Sequence, residues 1–158
     1  MKKSLMIMAV LGAWALAITP TAMSDLPSGQ DFNLAEYRGK VVVLDFWASW
    51  CVPCRRSFPW LNAMNAKYSD DGLVVIGINV DREPASAAEF LQKYPASFQI
   101  SYDSKGVLAK KFGVQAMPSS FVIGRDGQIN AHHLGFKVRR QDEYEAVIVA
   151  ALRQEKVQ

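Results

Sequence analysis

Two cysteines separated by two residues follow closely on a continuous apolar run. Residues 41–46 are rich in β-branched side chains, which is typical of a central strand buried on both faces. Pro53, between Cys51 and Cys54, suits a first helical turn, where the missing N–H has no helical partner to lose. The sequence therefore predicts a strand, a tight turn and a helix, with Cys51 just before the helix and Cys54 in its first turn.

A cysteine at the start of a helix is chemically activated. Helix N-termini present unpaired N–H groups and a partial positive charge, and both stabilise an anion such as a thiolate. We therefore expect a lowered pKa for Cys51, which makes it the nucleophile, and Arg55 and Arg56 add positive charge nearby. Cys54, further into the helix, is the expected resolving thiol. The pair can close a disulfide and exchange it with a substrate through a mixed disulfide.

Other uses of such a cysteine pair must be weighed. A zinc site needs four ligands, and the only further candidates, His132 and His133, are adjacent to each other and far along the chain. We therefore expect no metal site and no cofactor, and we interpret the two histidines as structural. A purely structural disulfide over so short a loop would constrain the chain very little. A Cu(I) carrier that uses Cys51, Cys54 and Met117, all soft ligands, stays open as an alternative.

Length and charge limit the classes of protein to consider. The chain has 158 residues, half of them hydrophobic, which suits one domain with a substantial core. The formal net charge of +3 includes Lys2 and Lys3, so the rest of the chain is close to neutral. A near-neutral body argues against nucleic acid as the partner.

The N-terminus has the pattern of a secretory signal peptide at residues 1–24. It begins with two lysines, continues with an apolar run at residues 5–18, and offers small residues at positions 22 and 24 for cleavage. An uncleaved membrane anchor is the alternative, although the run is shorter than the about 20 apolar residues that span a bilayer. In either case we expect residues 25–158 to form an exported domain, which we place in the periplasm.

One charged residue, Asp45, interrupts the apolar run. A carboxylate within a buried strand is unfavourable unless it is paired or protonated. It is either a proton acceptor beneath the thiols, with a pKa raised by burial, or an ordinary strand carboxylate that faces a loop or a water. The sequence leaves both interpretations open.

The rest of the chain alternates between helix and strand patterns. Pro59 predicts a kink in the helix after Cys54, and Ser86 with Glu89 has the capping-box pattern of a helix start. Residues 25–30 are predicted to be a linker. The remaining predicted elements are strands at residues 73–80, 98–102, 121–123 and 128–135 and helices at residues 86–94, 104–112 and 142–154. A strand, a helix and a strand in this order form a βαβ unit, so we expect an α/β fold.

Taken together, these residues resemble thioredoxin. Residues 46–54 are similar to its active site, Asp45 to its buried acid, Pro59 to its kink proline, and Met117 with Pro118 to its cis-proline loop. The resemblance implies a thioredoxin fold, with a central mixed β-sheet flanked by helices and a cis peptide bond before Pro118.

A mechanism follows as a hypothesis. We expect a client chain to lie against the backbone of Met117 and Pro118, while Trp50 shields the thiols and Asp45 accepts the proton of Cys54.

A closer similarity is to exported thiol-disulfide oxidoreductases of the TlpA/ResA type. It rests on the N-terminal leader, on residues 34–41, and on an insertion with helices at about residues 82–112, before the cis-proline loop. The family implies a reductant of disulfides in exported proteins, such as those of cytochrome c or copper-site assembly, with a membrane thiol electron donor. A disulfide oxidase or isomerase is the alternative, because a stabilised thiolate makes the pair more oxidising.

The chain departs from these relatives at three positions. Ser57 stands where many TlpA/ResA-type proteins have a glutamate, and Asp45 stands where many have a neutral residue. Gly77 occupies the place of the lysine near the buried acid of thioredoxin. The first two differences move the acid–base group towards the thioredoxin arrangement, whereas Gly77 departs from it.

Overall fold

The apolar run before the cysteines forms the central strand of the sheet. The computed structural model describes residues 28–29 and 32–154, and the predicted signal peptide at residues 1–24 lies outside these ranges. Val41–Trp47 is strand β3, and all seven of its residues are buried. Within the described residues, no helix is both long enough and apolar enough to cross a bilayer.

Strands and helices alternate along the chain, as the sequence predicts. Before β3, a short hairpin of β1 and β2 occupies part of the predicted linker and is followed by a 3-10 helix. In order, the labelled elements are β1 (Ser28–Gly29), β2 (Phe32–Asn33), β3 (Val41–Trp47), α1 (Cys54–Tyr68), β4 (Leu73–Asn79), α2 (Pro84–Lys93), β5 (Gln99–Tyr102), α3 (Val107–Lys111), β6 (Ser119–Ile123), β7 (Ile129–Leu134) and α4 (Gln141–Leu152).

The main sheet has five strands in the order β5-β4-β3-β6-β7. Strands β3, β4 and β5 are parallel, whereas β6 runs antiparallel to both β3 and β7. Alternate residues of a strand face opposite sides of a sheet. Val43 accordingly packs with the helix residues Phe58 and Ile148, and Leu44 packs with Leu108 on the other side. This is the mixed sheet flanked by helices that the thioredoxin resemblance implies.

The insertion is present, but its helix boundaries differ from those predicted. Helix α2 begins at Pro84, so Ser86 lies inside it and the predicted capping box is wrong. A proline has the backbone angle that a first helical turn requires, and it starts the helix earlier. Helix α3 is shorter than predicted because the Asp103 carboxylate accepts the N–H groups of Val107 and Ala109, both at 2.8 Å, and fixes its start.

The buried Arg125 forms hydrogen bonds with three chain segments at the end of the sheet where β3 begins. The Arg125 guanidinium donates to the carbonyls of Gly39 at 2.8 Å, Asp71 at 2.9 Å and Leu152 at 3.2 Å. These carbonyls lie before β3, after α1 and at the end of α4. Gly72 has a φ of +94°, and a Cβ there would lie 3.0 Å from Arg125 Nη1, so a larger residue would displace the guanidinium.

We predict that Arg125→Met lowers the free energy of unfolding by about 2–4 kcal/mol, because three carbonyls lose a buried charged donor. Urea denaturation of the oxidised protein measures the loss. Arg153→Met is the matched control, since Arg153 is exposed, and it should change stability by less than about 0.5 kcal/mol. Equal losses in the two variants would contradict the structural role of Arg125.

Candidate active site

The two cysteines are joined where helix α1 begins. Cys51 and Cys54 form a disulfide with their Cα atoms 5.4 Å apart, and Cys54 is the first residue of α1. Pro53 precedes the helix with helical backbone angles. The Cys54 N–H points at Cys51 Sγ over an N–S distance of 3.2 Å. A backbone donor aimed at this sulfur stabilises negative charge there when the disulfide opens.

A carboxylate that the sequence analysis did not identify holds the loop between β3 and the disulfide. Asp81, which is buried, accepts the Ser49 N–H at 2.9 Å and the Ser49 hydroxyl at 3.0 Å. The Asn79 side-chain amide donates to the same carboxylate at 2.8 Å. Asn79 and Asp81 follow the apolar part of β4, and parallel neighbouring strands end at the same edge of a sheet. This placement is the signal that could have identified them.

Asp45 is fully buried within β3. The Ser120 hydroxyl of β6 donates to Oδ1, whereas Oδ2 has no hydrogen-bond partner among residues 28–29 and 32–154. Burial raises the pKa of Asp45 to about 7, and the hydrogen bond from Ser120 acts in the opposite direction. This carboxyl group therefore changes its charge near neutral pH.

No cation can reach Asp45 from the facing position of β4. Gly77 is the register partner of Asp45, and a Cβ on it would lie 3.0 Å from both Trp47 Nε1 and Ile100 Cδ1. The Trp47 indole fills this place and packs against Phe58 and Phe90, with ring centroids 5.0 and 4.8 Å away. The acid therefore lacks, at this position, the positive charge that a lysine would bring.

The cis-proline loop is present, and exposed apolar side chains adjoin the cysteines in the chain. The Met117–Pro118 peptide bond is cis, as the resemblance implied, and the Pro118 carbonyl accepts the Gly135 N–H at 2.8 Å. Pro118 is buried and Met117 is half-buried. Trp50 is 67% exposed and Val52, between the cysteines, is 54% exposed. Trp50 thus presents an apolar surface beside the disulfide.

The two histidines, which the sequence analysis interprets as structural, alternate in orientation on β7. His132 is exposed and stacks on Phe121 at 4.2 Å, and the half-buried His133 contacts the Tyr144 ring at 4.7 Å. Burial, together with the positive charge of Arg140, holds the pKa of His133 below its ordinary value. Among the described residues, no three His, Cys, Asp or Glu side chains come together as a metal site would require.

Comparison with known proteins agrees with this geometry. A family model described as Redoxin matches residues 9–148 of the chain. The chain belongs to the Redoxin family. The thiol-disulfide oxidoreductase ResA of Bacillus thuringiensis subsp. konkukian is 32% identical over 117 residues, which cover 73% of this chain and 68% of that relative.

Two solved structures share the fold. A candidate thiol:disulfide interchange protein DsbE of Chlorobium tepidum is 43% identical, with a TM-score of 0.75 over 79% of this chain and 90% of that chain. A secreted disulfide oxidoreductase of Mycobacterium tuberculosis is 26% identical, with a TM-score of 0.65 over 75% of this chain and 87% of that chain. With the disulfide at the start of α1, these similarities make the chain a thioredoxin-like thiol-disulfide oxidoreductase of the TlpA/ResA type.

The raised pKa of Asp45 predicts a pH-dependent loss of stability. The folded protein retains this proton at pH values where the unfolded chain has lost it. The contribution of Asp45 to stability is therefore most favourable below about pH 4 and becomes less favourable as the pH rises to about 7. Asp45→Asn removes this loss, so its stability gain over the wild type should grow across this range to as much as about 4 kcal/mol.

Urea denaturation of the oxidised proteins at several pH values measures this gain. Asp70→Asn, which replaces an exposed carboxyl group, is the control for the loss of one acid. A gain for Asp45→Asn that does not change between pH 4 and pH 8 would show that the Asp45 carboxyl does not titrate in this window.

Proposed function

We propose that the protein is exported and reduces disulfides of client proteins in the periplasm through Cys51 and Cys54. The observation that carries exchange through Cys51 is the Cys54 N–H aimed at Cys51 Sγ at the start of α1, 3.2 Å away, and the reductive direction rests on the similarity to ResA. The N-terminal signal pattern supports export, and one of the similar solved proteins is described as secreted. The predicted signal peptide, or uncleaved anchor, at residues 1–24 belongs to this proposal.

The reaction begins with the Cys51 thiolate. It attacks one sulfur of a client disulfide, the client S–S bond breaks, and one client thiolate leaves and takes a proton from solvent. The new bond joins Cys51 to the other client sulfur as a mixed disulfide. The Cys54 N–H and the N-terminus of α1 stabilise the attacking thiolate.

The second step closes the disulfide that the structure contains. Asp45, whose pKa burial raises to about 7, accepts the proton of Cys54, either directly or through a water. The Cys54 thiolate attacks Cys51 Sγ, the mixed disulfide breaks, and the second client thiolate leaves. Two electrons pass from the protein to the client, and a group that titrates near neutral pH suits this proton transfer.

Met117, Pro118 and Trp50 are the proposed contacts of the client chain. The Pro118 carbonyl already accepts the Gly135 N–H at 2.8 Å, and proline has no N–H to donate. The peptide groups of Met117 are therefore the candidates for main-chain hydrogen bonds to the client. Trp50, which is 67% exposed, offers an apolar surface to the residues beside the client cystine.

We propose the client classes from the family resemblance and the electron donor from the electron balance of each turnover. Cytochrome c assembly and copper-site assembly proteins are the client classes that we propose. Each turnover leaves Cys51 and Cys54 oxidised, so another dithiol must reduce them. In an oxidising compartment that dithiol needs electrons from across the membrane, and we propose a membrane thiol protein as donor.

The reduction potential of the Cys51–Cys54 couple tests the direction of transfer. Equilibration of the purified protein with glutathione buffers, followed by tryptophan fluorescence, gives the value. We expect a potential near or below about −220 mV, as in reductants. A value near about −120 mV would instead make the protein an oxidant, which is the second candidate because the Cys54 N–H stabilises the reduced form.

Single-cysteine variants test the two thiol roles. Cys51→Ser should not reduce a client disulfide above the uncatalysed rate, because the cysteine that remains, Cys54, is fully buried and cannot reach a client disulfide. Cys54→Ser should form a mixed disulfide with the client and accumulate it, because the resolving thiol is missing. Non-reducing electrophoresis and mass spectrometry detect this adduct. A mixed disulfide that forms through Cys54 in the Cys51→Ser variant would reverse the assignment.

A further inference from the structure

Two clefts flank the disulfide, and the first lies against the insertion helix α2. We call it the α2 cleft; its volume is ≈ 390 Å³, and it is lined in part by Trp50, Arg55, Lys93 and Tyr94. The Arg55 guanidinium lies over the Tyr94 ring, 5.9 Å from its centroid. Glu89 is the one carboxylate among its lining residues, so the two cations outnumber it.

The second cleft includes Arg56, which lies two residues after Cys54 in α1. We call it the α4 cleft because its last lining residue lies just before helix α4. Its volume is ≈ 490 Å³, and it is lined by Arg56, Phe136, Lys137, Val138 and Arg139. Three of these residues are cations and none is an acid. Two of the cations, Lys137 and Arg139, closely follow Gly135, whose N–H donates to the Pro118 carbonyl. This hydrogen bond links the segment that lines the α4 cleft to the cis-proline loop.

The five cations of the two clefts are not neutralised by ion pairs. Within residues 28–29 and 32–154, ion pairs join Lys67 to Glu145 and Arg140 to Glu143, and the cleft cations take part in neither. Since the chain without its N-terminal lysines is close to neutral, this concentration of positive charge is local to the rim of the active site.

Exposed apolar side chains lie between and within the two clefts. Trp50, Val52 and Val138 are 67%, 54% and 55% exposed. An apolar centre with a charged rim is the usual composition of a protein–protein interface. Arg55 and Arg56 are consecutive in α1 but line different clefts, so each cleft holds one cation that closely follows Cys54 in the first turn of the helix.

We propose that the two clefts bind client segments that carry carboxylates on both sides of the reacting cystine. Apolar client residues next to the cystine pack on Trp50 and Val52, while acidic residues farther along pair with the cations of each cleft. This inference rests on the proposed exchange with protein clients and adds the chemistry of the client surface. Complementary charge acts mainly on the rate of association, and salt weakens it.

Three peptides with the same cystine loop, flanked on both sides by Glu, Ser or Lys, provide the test. The full-length protein is reduced, and tryptophan fluorescence in stopped flow follows a single turnover with each peptide. Each rate is divided by the rate of the same peptide with dithiothreitol, an uncharged dithiol, which removes the intrinsic reactivity of its disulfide. We expect the Glu peptide to react at least about tenfold faster than the Lys peptide at low salt, and the ratio to approach one near 1 M salt.

Matched charge reversals localise the effect. Lys137→Glu/Arg139→Glu should lower the Glu-to-Lys rate ratio at least about fivefold. Both residues lie outside helix α1, which begins at Cys54. Arg38→Glu/Lys40→Glu is the control, because these exposed cations precede β3 whereas the disulfide follows it. This control should leave the ratio unchanged.

The outcomes separate the two proposals. Equal normalised rates for the Glu and Lys peptides, together with rapid reduction of the Ser peptide, would overturn the acidic-client inference and leave the proposed function intact. The same fall in the ratio for both double variants would overturn the assignment to the α4 cleft. Failure to reduce the Ser peptide would overturn the proposed function, and the inference with it.

Discussion

Burial of β3 on both of its faces is the constraint on which the rest of the structure depends. The strand pairs with β4 on one side and β6 on the other, and all seven residues are inaccessible to solvent. Val43 and Leu44 anchor the helices on opposite sides of the sheet. The same enclosure surrounds Asp45 and raises its pKa to about 7. Packing and acid–base chemistry therefore have one cause, and a more open strand would lose both.

The reactive end of the molecule is built where the parallel strands β3 and β4 end. Asp81 fixes the loop after β3 through Ser49, at 2.9 Å to its N–H and 3.0 Å to its hydroxyl. The loop then leads into α1, whose first N–H points at Cys51 Sγ. A thiolate is stabilised only if this donor keeps its place, so the buried Asp81 carboxylate contributes to the chemistry by holding the backbone.

The features that follow from local sequence were predictable, and those that join distant segments were not. The apolar run, Pro53 and the cysteine spacing suffice to predict β3 and the start of α1, because each acts within a few residues. The bond from Ser120 to Asp45 spans 75 positions of the chain, and the bond from Arg125 to Gly39 spans 86. These depend on strand register and helix packing. The capping-box prediction at Ser86 failed because Pro84 nearby favours an earlier helix start.

Two positions that the resemblance singles out, Ser57 and Gly77, bring no charge to the site. Ser57 is buried and donates its hydroxyl to the Cys54 carbonyl at 3.1 Å, so it brings no charge to the thiols. Because Gly77 has no side chain, the Trp47 indole occupies the space beside it, and no lysine reaches Asp45 from this position of β4. Burial therefore raises the pKa of Asp45, and the hydrogen bond from Ser120 is the interaction that opposes this effect. The Ser120 hydroxyl on β6 thus lowers the pKa of Asp45, and with it the pH above which the proposed proton acceptor is ionised.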